Sequence, residues 1–157
     1  MLDSLAFTLS DLAQTRRFAF CLSQFMAPGR VFSISGPLGA GKSELARGMV
    51  TAVCGPQDDI PSPTFTIVQP YLSDAGFEVW HMDLYRLETA EQALALGIED
   101  AFYECCCLIE WPDKLQELLP EDQIRIDLAM GSDSRARVLA LAAAPEILDQ
   151  FKQDYFS

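Results

Sequence analysis

The stretch Gly36-Pro37-Leu38-Gly39-Ala40-Gly41-Lys42-Ser43 has the spacing GxxxxGK[ST], the pattern of a loop whose backbone amides wrap a chain of phosphates. Glycines suit such a loop because a Cβ would hold the backbone away from the phosphate oxygens. In that chemistry Lys42 reaches the β- and γ-phosphates and the Ser43 hydroxyl ligates Mg2+. Binding of a nucleoside triphosphate with its metal is therefore the first expectation. Phosphoryl transfer also calls for a carboxylate beside the metal, at the C-terminal end of a neighbouring strand. Two acids qualify: Asp83, closing the run Phe77 to Met82, and Glu110, closing the apolar run Cys105 to Ile109. A division of labour follows, with Asp83 on Mg2+ and Glu110 orienting or deprotonating the attacking water. Trp111 precedes Pro112 and so lies outside any helix interior, either beside the nucleotide or in a corner of the core. His81, the only histidine, shares a strand face with Asp83 and could support that carboxylate, or be a plain half-buried side chain.

The elements that must hold these residues can be read from periodicity. Residues 10 to 26 carry Leu12, Ala19, Leu22 and Met26 at helical spacing behind a Ser10 cap, and Pro28-Gly29 stops them. Arg30 to Ser35 is a short strand. The glycine-rich turn then opens into a helix with Leu45, Ala46, Met49, Val50 and Val53 on one side and Gly55 as its stop. Residues 57 to 63 form an irregular loop, and strands Phe65 to Tyr71 and Phe77 to Met82 make a hairpin. Residues 89 to 103 read as helix interrupted near Gly97, and Cys105 to Ile109 as a strand buried on both faces. A short helix follows Pro112. A second hairpin spans residues 124 to 142, and a helix from Pro145 to Phe151 closes the chain. This order predicts an α/β, P-loop NTPase-like three-layer fold, with a mixed, mainly parallel sheet containing hairpins, in one domain over residues 1–157.

Composition narrows the partners. The 157 residues carry 11 Lys and Arg against 23 Asp and Glu, a net charge of −12. Sequence-independent attraction to nucleic acid rests on cations, so any contact with RNA is expected only through a partner, and DNA is not expected. Half the residues are hydrophobic, enough to fill one core. The five cysteines, Cys21, Cys54, Cys105, Cys106 and Cys107, lack CxxC spacing and read as free thiols in a reducing compartment. Neither an export signal nor a run long enough to span a membrane is evident. The expected location is cytoplasmic.

Four motifs together, namely Gly36 to Ser43, Ser62-Pro63-Thr64-Phe65, His81-Met82-Asp83-Leu84-Tyr85-Arg86-Leu87 and Glu110-Trp111-Pro112, resemble in order and spacing the bacterial tRNA threonylcarbamoyladenosine biosynthesis ATPases of the TsaE (YjeE) family. The resemblance covers the chain from its first helix to about residue 140. It implies a small ATPase using ATP and Mg2+ and working with TsaB and TsaD, which attach a threonylcarbamoyl group to the adenosine beside the anticodon. Nucleotide turnover is implied to reset that complex between cycles, with weak activity when the ATPase is alone. By the same resemblance the nucleotide lies on Gly36, Pro37, Leu38, Gly39, Ala40, Gly41, Lys42, Ser43, Glu44 and Trp111. The metal falls to Ser43, Thr64, Asp83 and Glu110, and catalysis to Lys42, Thr64 and Glu110. Pro37 stands where the family commonly has an acidic residue, Ser43 where threonine is commoner, and Glu44 where a small hydroxyl residue is usual.

Three rival readings share the phosphate loop. A small-molecule kinase needs an acceptor pocket and a lid with several arginines, and only Arg86 is well placed for one. A regulatory GTPase needs a glycine after its metal aspartate and a base-reading NKxD motif, which the chain lacks. A nucleotide-gated adaptor with negligible hydrolysis would share every binding residue with an ATPase that depends on partners.

Overall fold

In the computed structural model, residues 2–57 and 67–157 are described. The chain runs β1 (Asp3–Leu9), α1 (Leu12–Ser23), β2 (Val31–Ser35), α2 (Lys42–Cys54), β3 (Val68–Leu72), β4 (Glu78–Asp83), α3 (Ala90–Leu94), α4 (Ile98–Glu104) and β5 (Cys106–Glu110). Two 3-10 turns, Pro112–Lys114 and Gln116–Leu118, lead to β6 (Ile124–Met130), β7 (Arg137–Ala143) and α5 (Pro145–Tyr155). The strands form one sheet in the order β1-β7-β6-β2-β5-β4-β3. Its centre, β6-β2-β5-β4, is parallel, and antiparallel pairs flank it on both sides. The two expected hairpins are β3-β4 and β6-β7. Pro70 sits in β3, at the sheet's edge, where a residue without an N–H is tolerated.

Two cores explain the three layers. Along the central strands, successive side chains go to opposite faces. Phe32, Ile34, Cys106 and Leu108 join a core with α1, α2 and α5, while Val31, Cys107 and Ile109 join one with α3 and α4. A parallel strand covered by helices on both faces has to be apolar at every position, and Cys106–Glu110 is buried throughout. The cysteines fit there as small apolar side chains. All five are buried free thiols, and burial pushes Cys54 up to about 11 and Cys106 up to about 12.

The first element differs from the sequence expectation. A strand, β1, precedes the first helix and pairs antiparallel with β7, with Phe7 and Leu9 buried. Phe7 meets Phe18 of α1 edge to face at 5.1 Å, and Phe18 lies 4.8 Å from Phe151 of α5, so one aromatic cluster ties three elements together. The helix cap is Asp11 rather than Ser10. The Asp11 carboxylate accepts the Gln14 N–H at 2.9 Å, and the Ser10 N–H donates to Gln14 Oε1 at 2.6 Å. Leu12 then falls on the exposed side, and Thr15, Phe18, Ala19 and Leu22 carry the buried face.

Helices α1 and α2 pack closely at Gly48, where an added Cβ would lie 2.8 Å from Ala19 Cβ. Gly48→Ala is therefore expected to cost about 1–3 kcal/mol from overpacking, against a helix-propensity gain of about 1 kcal/mol. Urea unfolding of Gly48→Ala, Ala19→Gly and the double variant checks this. Strictly additive losses would rule out the close approach as the cause.

Candidate functional site

Strand register builds the site before any side chain is considered. In the parallel pairs, Ile34 of β2 lies opposite Glu110 of β5, and Asp83 of β4 lies opposite the same Glu110. The C-terminal ends of three neighbouring strands therefore finish level, and the loop leaving β2 rises beside both acids. The loop closes on α2 through Gly41, whose φ of 99° is left-handed. Gly36 is required for a different reason: a Cβ there would sit 2.5 Å from the Leu128 carbonyl oxygen of β6. The opening turn of a helix presents amides with no intrahelical acceptor and a partial positive charge, so α2 aims an anion-binding end at the cleft.

Lys42 is buried, and its ammonium donates to the carbonyls of Gly36 at 2.7 Å and Pro37 at 2.9 Å. It also lies 4.4 Å from the centroid of the Trp111 ring, a cation–π distance. Burial holds the Lys42 amine below the usual lysine range, against the opposing pull of Glu110 and Asp83. Trp111 has φ 58°, a left-handed conformation uncommon for a bulky side chain. It rests against the core under α3 and α4 and also lines the cleft, so both sequence readings of this residue describe part of its position.

Glu110 is the most enclosed acid among the described residues, 2% exposed. The Ser43 hydroxyl lies 3.0 Å from each of its carboxylate oxygens, and His81 Nε2 lies 2.7 Å from Oε2. His81 thus meets Glu110, where the sequence suggested support of Asp83; the diagonal position across β4 and β5 puts it within reach. Asp83 is buried at the same edge, with Oδ1 accepting the Tyr85 N–H at 3.0 Å. Thr64, in the Ser62 to Phe65 motif, lies outside the described residues.

The cleft over α2 measures about 360 Å3 and is lined by Leu38, Lys42, Ser43, Asp83, Glu110 and Trp111, with Gly39, Gly41, Glu44, Arg47 and Arg137 completing it. Arg137 escaped the sequence reading. It reaches back from β7 to donate to the Ala40 carbonyl at 3.1 Å and the Gly39 carbonyl at 3.2 Å, bracing the tip of the loop. The only linear clue was a cation opening a strand. A second cleft of about 370 Å3 adjoins the first, sharing Gly41, Glu44 and Arg137, with apolar walls from Leu12, Ala40 and Leu128.

Among the described residues no group of three His, Cys, Asp or Glu forms a metal cage. A hydroxyl and two carboxylates facing an open cleft suit a hard cation that takes its remaining ligands from phosphate and water. That is how Mg2+ is ordinarily held, so the donor set fits it. No helix among the described residues is long and apolar enough to cross a membrane.

Comparison with known proteins identifies the family. The family model for the threonylcarbamoyl adenosine biosynthesis protein TsaE matches residues 9–138. The tRNA threonylcarbamoyladenosine biosynthesis protein TsaE of Rickettsia conorii is 36% identical over 129 residues, 82% of this chain and 73% of that protein. The protein of the same name from Bacillus subtilis is 32% identical over 126 residues, 80% of this chain and 77% of that one. Its counterpart in Haemophilus influenzae is 43% identical over 103 residues, 65% and 64% of the two chains. Among solved structures, the crystal structure of Bacillus subtilis YdiB superposes with a TM-score of 0.77 at 25% identity, covering 99% of this chain and 96% of that one. With the matched segment running from the end of β1 into β7 and taking in the glycine loop, Asp83, Glu110 and Arg137, the chain belongs to the TsaE family of tRNA threonylcarbamoyladenosine biosynthesis.

Proposed function

We propose that the chain binds ATP with Mg2+ in the cleft over α2 and hydrolyses it. On this reading it acts in the cytoplasm, and turnover cycles the TsaB-TsaD complex during threonylcarbamoylation of the adenosine beside the tRNA anticodon. The observation that carries the reading is the level ending of β2, β5 and β4, with Glu110 touching the Ser43 hydroxyl at 3.0 Å.

The phosphate tail lies along residues 36 to 44 and takes hydrogen bonds from the amides that open α2. Lys42 turns from the Gly36 and Pro37 carbonyls to the β- and γ-phosphate oxygens. Ser43, Asp83 and Glu110, with Thr64, are the residues that would hold Mg2+, which when bound neutralises phosphate charge in the transition state. The enclosed Glu110 carboxylate orients the attacking water or accepts its proton. Arg137 keeps the loop tip at Gly39 and Ala40 in the shape that receives phosphate, and the adjoining cleft, with its apolar walls, receives the base. Partner binding completes the site, so that hydrolysis by the chain alone is slow.

Lys42→Ala is expected to abolish binding of a fluorescent ATP analogue. Glu110→Gln should bind it in EDTA within about threefold of the parent chain while turnover in Mg2+ falls by about 100-fold or more, the range typical of a lost acid–base group. Equal loss of binding and phosphate release in Glu110→Gln would remove it from the chemistry. Absence of phosphate release with TsaB and TsaD present would favour a nucleotide-gated adaptor.

Arg137→Ala leaves the loop tip without its brace. Nucleotide affinity should drop by about 10-fold or more, matching the 1.5–3 kcal/mol usual for hydrogen bonds from a charged group, and Arg137→Lys should recover only part of it because an ammonium lacks the fork. Titration of both variants with the same analogue reads this, and parent-like affinity in Arg137→Ala would show that the loop holds its shape unaided.

A further inference from the structure

We infer that His81 is a positioning residue for Glu110, fixing one carboxylate oxygen so that only Oε1 works in the cleft. The inference rests on the reading of the cleft as a magnesium-nucleotide site and adds a residue to it.

The geometry is specific. His81 lies opposite Leu108 in the β4-β5 register, so it is diagonal to Glu110, two residues on and on the same sheet face. That face carries α2 and hence Ser43. His81 is fully buried, and its Nε2 lies 2.7 Å from Glu110 Oε2. A carboxylate only accepts hydrogen bonds, so Nε2 carries the proton. The other ring nitrogen, Nδ1, has no hydrogen-bond partner among the described residues. An imidazole with an unmatched nitrogen is a poor filler for a position that Val79, on the same strand face, meets with an apolar side chain. Packing does not account for His81; the bond to Glu110 does.

The bond matters because Ser43 cannot hold Glu110 by itself. One hydroxyl proton is shared between two oxygens, each 3.0 Å away. When that hydroxyl turns to a bound metal, Glu110 loses the contact. His81 still retains Oε2, so the carboxylate stays in plane and presents Oε1. Without His81 the acid is free to swing toward the Lys42 ammonium, whose charge already couples to it.

The test compares His81→Leu, which fills space without a donor, with His81→Gln, whose side-chain amide reaches a similar point and keeps one. Nucleotide affinity in EDTA, the Mg2+ dependence of that affinity, and kcat and KM with TsaB and TsaD are measured for both. His81→Leu should keep EDTA affinity and KM within about threefold while losing 10–100-fold in Mg2+ dependence or kcat, the usual effect of removing a group that orients a ligand. His81→Gln should regain most of that loss. Equal impairment of the two variants, parallel losses in KM and thermal stability, or parent-like Mg2+ dependence and kcat in His81→Leu would overturn the inference. The bond itself is read without nucleotide, as a downfield, slowly exchanging imidazole N–H resonance that shifts in Glu110→Gln. Its absence from the parent chain would also overturn the inference. Its presence in a parent chain that fails to bind magnesium-ATP would instead overturn the reading of the cleft.

Discussion

A carboxylate closed off from water at the end of a central parallel strand is the constraint on which this site turns. Removing an ionised acid from solvent is costly unless hydrogen bonds and opposite charge replace its hydration. Glu110 has Ser43 and His81 as donors and Lys42 as the nearby cation. They come from two elements: Lys42 and Ser43 from the first turn of α2, His81 from the body of β4. Satisfying one buried acid therefore brings the phosphate loop and β4 into a single arrangement.

The same constraint explains why the surrounding fold is a doubly covered parallel sheet. Strands β2, β5 and β4 end level only if their registers are fixed, and burial of both faces fixes them, since a one-residue slip would exchange the two cores. The alternation of Cys106 and Leu108 with Cys107 and Ile109 provides that guard, as the first pair joins one core and the second pair the other. The thiols at 106 and 107 are part of it. Their pKa values are raised by burial, which makes them poor nucleophiles and good packing groups.

Features carried by neighbouring residues were legible in the sequence, and features carried by register were not. The glycine loop, the helix it opens and the stop at Gly55 are contiguous, so spacing alone reveals them. Asp83 and Glu110 stood out because an acid ending an apolar strand has little packing purpose. By contrast, Arg137 is linked to Ala40 across 97 residues through the pairing of β7 with β6 and of β6 with β2, and nothing local marks it. The partner of His81 was missed for a related reason: spacing puts His81 on the face of Asp83, but only the β4-β5 register shows Glu110 within reach. Strand β1 did leave a trace, the alternation Leu5, Phe7, Leu9. Ser10 and Asp11 are both able to cap a helix, and only the phase of the buried face separates them.

Net charge and local charge point in opposite directions here, and distance decides between them. At physiological salt the Debye length is about 8 Å, so most of the excess of 12 negative charges is screened from an anion already at the cleft mouth. Lining the cleft are Lys42, Arg47 and Arg137, with the positive end of α2, set against Glu44, Asp83 and Glu110. The acids are the part of the balance that a divalent cation would offset, which makes the cleft better suited to a metal-bound polyphosphate than to a bare one. Pro37 fits the same logic. It removes one amide from the loop, yet the group in use at that position is its carbonyl, which holds Lys42 at 2.9 Å and which proline retains. The substitution therefore leaves intact the contact that keeps the buried ammonium paired.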